Sequence, residues 1–270
     1  MTDHILSIKQ LQNLEESYML YSGYTKMPFV ECDPETFDDQ IHVFSNEKEL
    51  QEFAKPYTEQ KILLSGRKVL KAQAPGIFVS LFAMGVNAVI FHNNGTTVSI
   101  QLDKLVKKPD MKKLQEEPVP IMNSTLTLSA VYFLQELHRP VEHDMKQLKE
   151  LEDEMVANLV RSKYILGMLT ADPNEKFDPK NPDQPKKINY IKDKDGQIFL
   201  PIFADLAEFQ KFYRDKASKM GMAVVTFEKL PTTLMKEAKG VVLNPASFGL
   251  QILNEQLNQI ITANFIGEEE

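Results

Sequence analysis

His138, Glu142 and His143 place three metal-ligating side chains within one short stretch. A zinc protease site needs two histidines a helical turn apart on one helix face, and Pro140 breaks any helix between these two. They read as surface residues. The segment DPNEKFDPKNPDQ (172–184) has the composition of a calcium loop, but it lacks that loop's central glycine and terminal glutamate. Cys32 is the only cysteine, so neither an intrachain disulfide nor a Cys-based zinc site can form. Its neighbours Glu31 and Asp33 disfavour the reactive thiolate. No Ser-His-Asp order is legible, and neither GxGxxG nor GxxxxGK[ST] occurs. No catalytic, cofactor or metal residue is therefore assigned, and no cofactor is expected.

Two post-strand dipeptides are better candidates. His92-Asn93 follows the apolar run Ala88–Phe91, and Asn244-Pro245 follows Val241–Leu243. Ligands of α/β proteins often sit outside the carboxyl ends of strands. The two pairs, together with His42 and Pro201, are candidate residues of an interaction surface or pocket rim. The competing reading, that each Asn bonds its own backbone and starts a turn, is preferred.

The elements that would position these residues occur twice. Phe44, Glu49, Leu50 and Phe53 are matched 159 positions later by Phe203, Glu208, Phe209 and Phe212. AVIFHNNGTTVSI (Ala88–Ile100) aligns without gaps on GVVLNPASFGLQI (Gly240–Ile252), which is one linear order of elements used twice. The expected fold is two tandem α/β domains with mixed sheets, residues 1–108 and 143–270, joined by a linker over 109–142.

Within the first copy a helix is expected from Ser7, carrying Ile8, Leu11 and Leu14, then strands Met27–Val30 and Ile41–Phe44. Asn46 caps a helix ending before Pro56. Lys61–Leu64 and Val69–Ala72 read as two further elements, a helix starts near Pro75, and Asn93-Asn94-Gly95 is a turn. In the linker, Pro109, Pro118 and Pro120 mark an extended connection. A helix over 124–137 should bury Leu126, Ala130, Phe133, Leu134 and Leu137. In the second copy a helix carries Met145, Leu148, Leu151, Met155 and Leu159, and Tyr164–Leu169 is a strand. The polar insertion ADPNEKFDPKNPDQPKK is a surface loop. Lys187–Ile191 and Gln197–Phe203 form a hairpin around Asp195-Gly196, and Asp205 caps the next helix. Ala223–Phe227 is a strand, Pro231–Ala238 a short helix, and Leu250–Ile261 a final helix with Leu253, Leu257 and Ile260 inward. Glu268–Glu270 is an acidic tail.

FLPIFADLAEFQKF (Phe199–Phe212) and GVVLNPASFGLQI (Gly240–Ile252) resemble the SseB family, bacterial proteins named for enhanced serine sensitivity. The resemblance covers roughly Tyr164 to Ile260, and the first copy departs from it at His42 and His92-Asn93. It implies an α/β domain of unsettled biochemical role and supplies no catalytic residue.

The formal charge of −7 argues against nucleic-acid partners, which need clustered Lys and Arg. Lys104, Lys107, Lys108, Lys112 and Lys113 are interspersed with acids and read as solvated surface. No run reaches the ~18 apolar residues of a membrane span. The expectation is a cytoplasmic, non-enzymatic protein that binds another protein. The alternative is a small-ligand sensor or enzyme with a pocket between the copies.

Overall fold

The computed structural model describes residues 2–107, 121–170, 177, 178, 181, 184 and 186–266. The linker prolines 109, 118 and 120, lysines 108, 112 and 113, most of the polar insertion and the acidic tail lie outside the described residues. Those described form two compact units. One lies within Met1–Leu114 and Thr127–Glu152, the other within Gln115–Leu126 and Asp153–Glu270.

The first unit runs α1 (Thr2–Asn13), β1 (Glu16–Ser22), β2 (Glu31–Cys32), β3 (Asp39–Phe44), α2 (Glu47–Glu59), β4 (Leu64–Leu70), α3 (Ala74–Met84), β5 (Ala88–Asn93), β6 (Thr96–Gln101) and α4 (Leu102–Leu105). Its sheet has the order β4-β1-β3-β5-β6, with β2 also on β3. Only β3 and β5 are parallel among these pairs, and the α2–β4–α3 crossover makes that possible. Asn46 caps α2 by accepting the Glu49 N–H at 2.9 Å. This fixes the helix so that Leu50 packs on Leu20, Phe29 and Phe44. Asn94 and Gly95 both have positive φ, 50° and 81°, as a two-residue hairpin joining β5 to β6 requires.

Then come α5 (Ser124–Leu137), α6 (Met145–Arg161), β7 (Lys163–Thr170), β8 (Lys186–Ile188), β9 (Ile191–Lys192), β10 (Ile198–Phe203), α7 (Leu206–Tyr213), β11 (Gly221–Thr226), α8 (Leu230–Thr233), β12 (Ala238–Leu243), β13 (Leu250–Leu253) and α9 (Asn254–Ile261). The second sheet has the order β11-β7-β10-β12-β13, the same path as the first. Phe44 and Phe203 occupy the same position in β3 and β10, and neither is exposed at all. His92 sits near the end of β5, and Asn244 is the first residue after β12. The fold is thus α/β with two similar mixed-sheet units.

Pro201 is an unusual residue for an inner strand, since it cannot donate to a ladder. It pairs with Val242 of β12. On its other side β9 stops opposite Phe199 and β7 begins opposite Ile202, so no strand asks for its missing N–H. The first sheet has the same gap at His42, between Gln40 on β2 and Val43 on β1. A position free of one ladder bond tolerates either residue.

Several elements differ from the sequence expectations. α1 begins at Thr2, not Ser7. α2 continues through Pro56, because both Pro56 and Glu52, whose carbonyl loses its donor, are exposed to water. The two expected elements around Ser65 are one strand, β4, paired with β1 from Ser22↔Leu64 to Glu16↔Leu70. Lys187–Ile191 is divided between β8, which pairs with β7, and β9, which pairs with β10. Pro231–Ala238 is helical only to Thr233, and Ala238 already belongs to β12. Leu250–Ile261 is a strand followed by a helix, which leaves Leu253 45% exposed while Leu257 is buried. In α5, Leu126, Ala130, Phe133 and Leu134 are buried, whereas Leu137, its last residue, is 39% exposed.

Candidate functional site

Five elements of the first unit deliver one polar chain. β3 runs between β2, which carries Glu31, and β5, which carries His92. α2 lays Tyr57 over β2, and β6 brings Thr97 beside β5. The Tyr57 hydroxyl donates to Glu31 Oε2 at 2.6 Å. His42 Nε2 lies 2.7 Å from Glu31 Oε1, and His42 Nδ1 lies 2.9 Å from His92 Nε2. His92 Nδ1 is 3.2 Å from the Thr97 hydroxyl. The rings are fixed by aromatic contacts: His42 lies tilted against Phe53 with centroids 4.3 Å apart, and His92 stacks on Phe44 at 4.4 Å and 11°.

The chain assigns its own protons. With one ring proton on each imidazole, Thr97 donates to His92, His92 to His42, and His42 to Glu31. With two protons on His42, the His92 tautomer reverses and donates to Thr97. Every ring nitrogen is occupied in either state.

Burial acts to raise the Glu31 pKa, yet hydrogen bonds from His42 and Tyr57 outweigh it and hold the carboxyl below its ordinary value. Burial and the His42 charge push His92 down to about 4, against the pull of Glu49 and Glu31. Burial, reinforced by the bond to Glu31, raises Tyr57. Cys32 is also raised, by burial first and then by Asp39, Asp33 and Asp38, which leaves it a poor nucleophile.

Glu31 and Tyr57 also line a cleft of about 320 Å³ within this unit, with Phe29, Ile62, Gln135 and Leu151 among its walls. At its edge Arg139 pairs with Glu136 at 2.6 Å and donates to the Gln60 carbonyl through Nε and Nη2. His42 is 5% exposed, and it touches the cleft only through Glu31. Nothing here holds a nucleophile against a base, and the arrangement is a fixed carboxylate with a buried histidine relay behind it.

Of the residues singled out in the sequence, the structure brings His42 and His92 together. Asn93 instead reaches Gln10 Oε1 at 3.5 Å. Asn244 is fully buried with φ 49°. Its Oδ1 accepts the Ala204 N–H at 3.0 Å, and its carbonyl accepts Ser247 and Gly249. That makes Asn244 a turn residue that also satisfies a distant buried backbone donor, and Pro245 simply follows it round. Pro201 closes no site. His138 bonds its own helix at Leu134 and stacks on Tyr24, while His143 faces Glu136. Glu31, Tyr57 and Thr97 were not legible as site residues, because they lie on three separate elements with no common spacing.

The two copies do share one structural device. Glu49 accepts from Gly95 N in the β5–β6 turn at 2.6 Å, and its counterpart Glu208 accepts from Ser247 in the β12–β13 turn. Each ties a helix N-terminus to the following hairpin.

His92 makes stability depend on pH. Its folded pKa of about 4 lies below the ordinary value of 6.5, so the unfolded chain binds the proton more readily. The stabilisation is complete above about pH 6.5 and is lost as pH falls towards about 4. After discounting for part-exposure it amounts to roughly 1.5–3 kcal/mol. Urea unfolding of the full chain should become easier across that window, and His92→Asn should flatten the change. An unchanged slope in the variant would contradict the assignment.

No family model and no curated protein matches the chain. Among solved structures, Tic22 from Plasmodium falciparum matches over 97% of this chain and 98% of its own, with 12% identity and a TM-score of 0.20. Anabaena Tic22, described as protein transport, matches over 87% and 91%, with 14% identity and a TM-score of 0.20. At that TM-score neither likeness carries an argument about fold or function.

Proposed function

We propose that this protein works by binding an extended segment of another protein along the β11 edge of the second unit, and is not an enzyme. The observation that supports this most is the apolar edge itself, with which no further strand pairs among the described residues. β11 ends the sheet path and pairs with β7 on one side. Met222 and Val224, two apart and therefore on one face, are 42% and 51% exposed. Between that face and α7 runs a groove of about 400 Å³, with Leu206, Phe209 and Ala217 in its walls. Unpaired strand edges accept an added strand, with pockets for alternate side chains giving specificity.

Arg214 lines the groove, and the segment between α7 and β11 adds Lys216 and Lys219 against one acid, Asp215, in a chain of net charge −7. The Arg214 side chain has no hydrogen bond or ion pair among the described residues, while its backbone N–H donates to the Gln210 carbonyl. A fitting partner segment alternates apolar residues and carries acidic ones. The resemblance of Phe199–Phe212 and Gly240–Ile252 to the SseB family belongs to this proposal, as does a cytoplasmic location, where the free Cys32 stays reduced.

A displayed library of random peptides selected on the full chain should enrich such segments. Replacing Met222 and Val224 together by Lys should weaken the selected peptides at least about tenfold, about 1.4 kcal/mol, without changing stability much. Peptides that bind both forms equally would sink the proposal.

A further inference from the structure

We infer that the cleft of the first unit is a binding site for an organic cation, an ammonium or guanidinium group on a short aliphatic stem, held by the Glu31 carboxylate. The site is in the other unit from the β11 edge and stands or falls independently of that reading.

The argument begins with the carboxylate. Glu31 offers about four lone-pair directions, and His42 and Tyr57 use one on each oxygen. Its side chain is 30% exposed and lines the cleft, so further acceptor capacity faces a ligand. No Lys or Arg pairs with it among the described residues. By contrast Glu136, the other acid of the cleft, is neutralised by Arg139, whose guanidinium is also committed to the Gln60 carbonyl. No lysine or arginine among the described residues therefore balances Glu31, whose carboxylate is held in a fixed place by His42 and Tyr57.

A second observation points the same way. Gln135 lines the cleft and is nine-tenths buried, with its Nε2 donating to the Val30 carbonyl. Its Oε1 has no hydrogen-bond partner among the described residues. A buried acceptor without a donor is costly; this atom is sealed from solvent, so a cation's donors go to Glu31 and reach Gln135 only once its side chain turns into the cleft. The walls suit the rest of such a ligand. Phe29, Ile62 and Leu151 are apolar, matching a methylene stem. Tyr57 presents a ring, held edge-on to Phe29 at 5.3 Å, that attracts a cation. The volume of about 320 Å³ is at the small end of ligand pockets.

The His42–His92 relay has a role in this site. It holds Glu31 in one orientation from behind, so His42 is a positioning residue that never meets the ligand.

The cation could be a free amine or a Lys or Arg side chain of a protein. The test uses n-butylammonium and n-butylguanidinium as free probes, and a short blocked peptide with one central Lys as the side-chain source. Butyrate and n-butanol are the isosteric controls. Two-dimensional NMR of the full chain should show saturable shifts at Glu31, Tyr57 and the His42 ring with the cations, and none with the controls. Glu31→Gln should weaken binding at least tenfold. Leu151→Trp, which fills the cleft without touching the polar chain, should do the same, and each variant's own two-dimensional NMR spectrum shows whether it is folded, so a folding defect cannot pass for lost binding. Tighter binding of the peptide than of the free amines assigns the site to a protein side chain, and the reverse assigns it to a small molecule. Absence of saturable shifts with every cation, or equal binding by butyrate, or binding untouched by both substitutions, overturns the inference.

Discussion

Phe203→Ala is expected to lower the stability of the full chain by about 3–5 kcal/mol, the largest single effect in the molecule. The ring has no exposed surface and is the centre of the second unit's core, packed with Ile165, Phe209 and Tyr213. Its centroid lies 5.4–5.6 Å from the rings of Phe209, Phe212 and Tyr213. Truncation removes these contacts and leaves a cavity that β10, held between β7 and β12, cannot close by moving. Urea denaturation measures the loss. A cost below about 1 kcal/mol would mean that this core is loosely packed and that the repeat was aligned on the wrong residue.

Asn244→Ala should cost about 2–4 kcal/mol. The side chain gives the buried Ala204 N–H its partner, and leaving that donor unpaired costs about 1–3 kcal/mol. Alanine at φ 49° adds about 1 kcal/mol, since Asn tolerates the left-handed region better. Asn244→Gly restores the backbone freedom but not the hydrogen bond, so it should recover only the smaller part. Equal stability of all three forms would return Asn244 to the list of binding residues. In the first copy the equivalent N–H, that of Ser45, bonds the His92 carbonyl instead, at 2.9 Å. The imidazole is thereby released for the polar chain.

These residues show what could be read from the sequence. Asn46, Asp205 and Asn94-Gly95 act locally, through bonds to a neighbour or through their own φ, so their roles were legible. The 159-residue match of Phe44 with Phe203 was legible because both are core positions in one strand order. The end of the chain was not, because Leu250, Ile252, Leu253, Leu257 and Ile260 satisfy a two-residue and a helical period at once. No glycine or proline marks the switch at Asn254. The two halves of β4 were read apart since its middle, Ser65–Lys68, is polar, although backbone pairing with β1 runs through it unbroken. The polar chain lay further out of reach. Glu31 looked only like an acid beside Cys32, and nothing in its spacing connects it to His42, Tyr57 or Thr97.

The most direct test of the central claim is photocrosslinking from position 224 of the full chain in its native cell, with a benzophenone side chain replacing Val224. Partner binding along β11 predicts one dominant crosslinked protein, joined through an extended segment with acidic and alternating apolar residues. It also predicts loss of that product when Met222 is replaced by Lys. A product that survives Met222→Lys, or no discrete product from position 224 while the same side chain at exposed Leu70 on β4 gives one, would contradict the account.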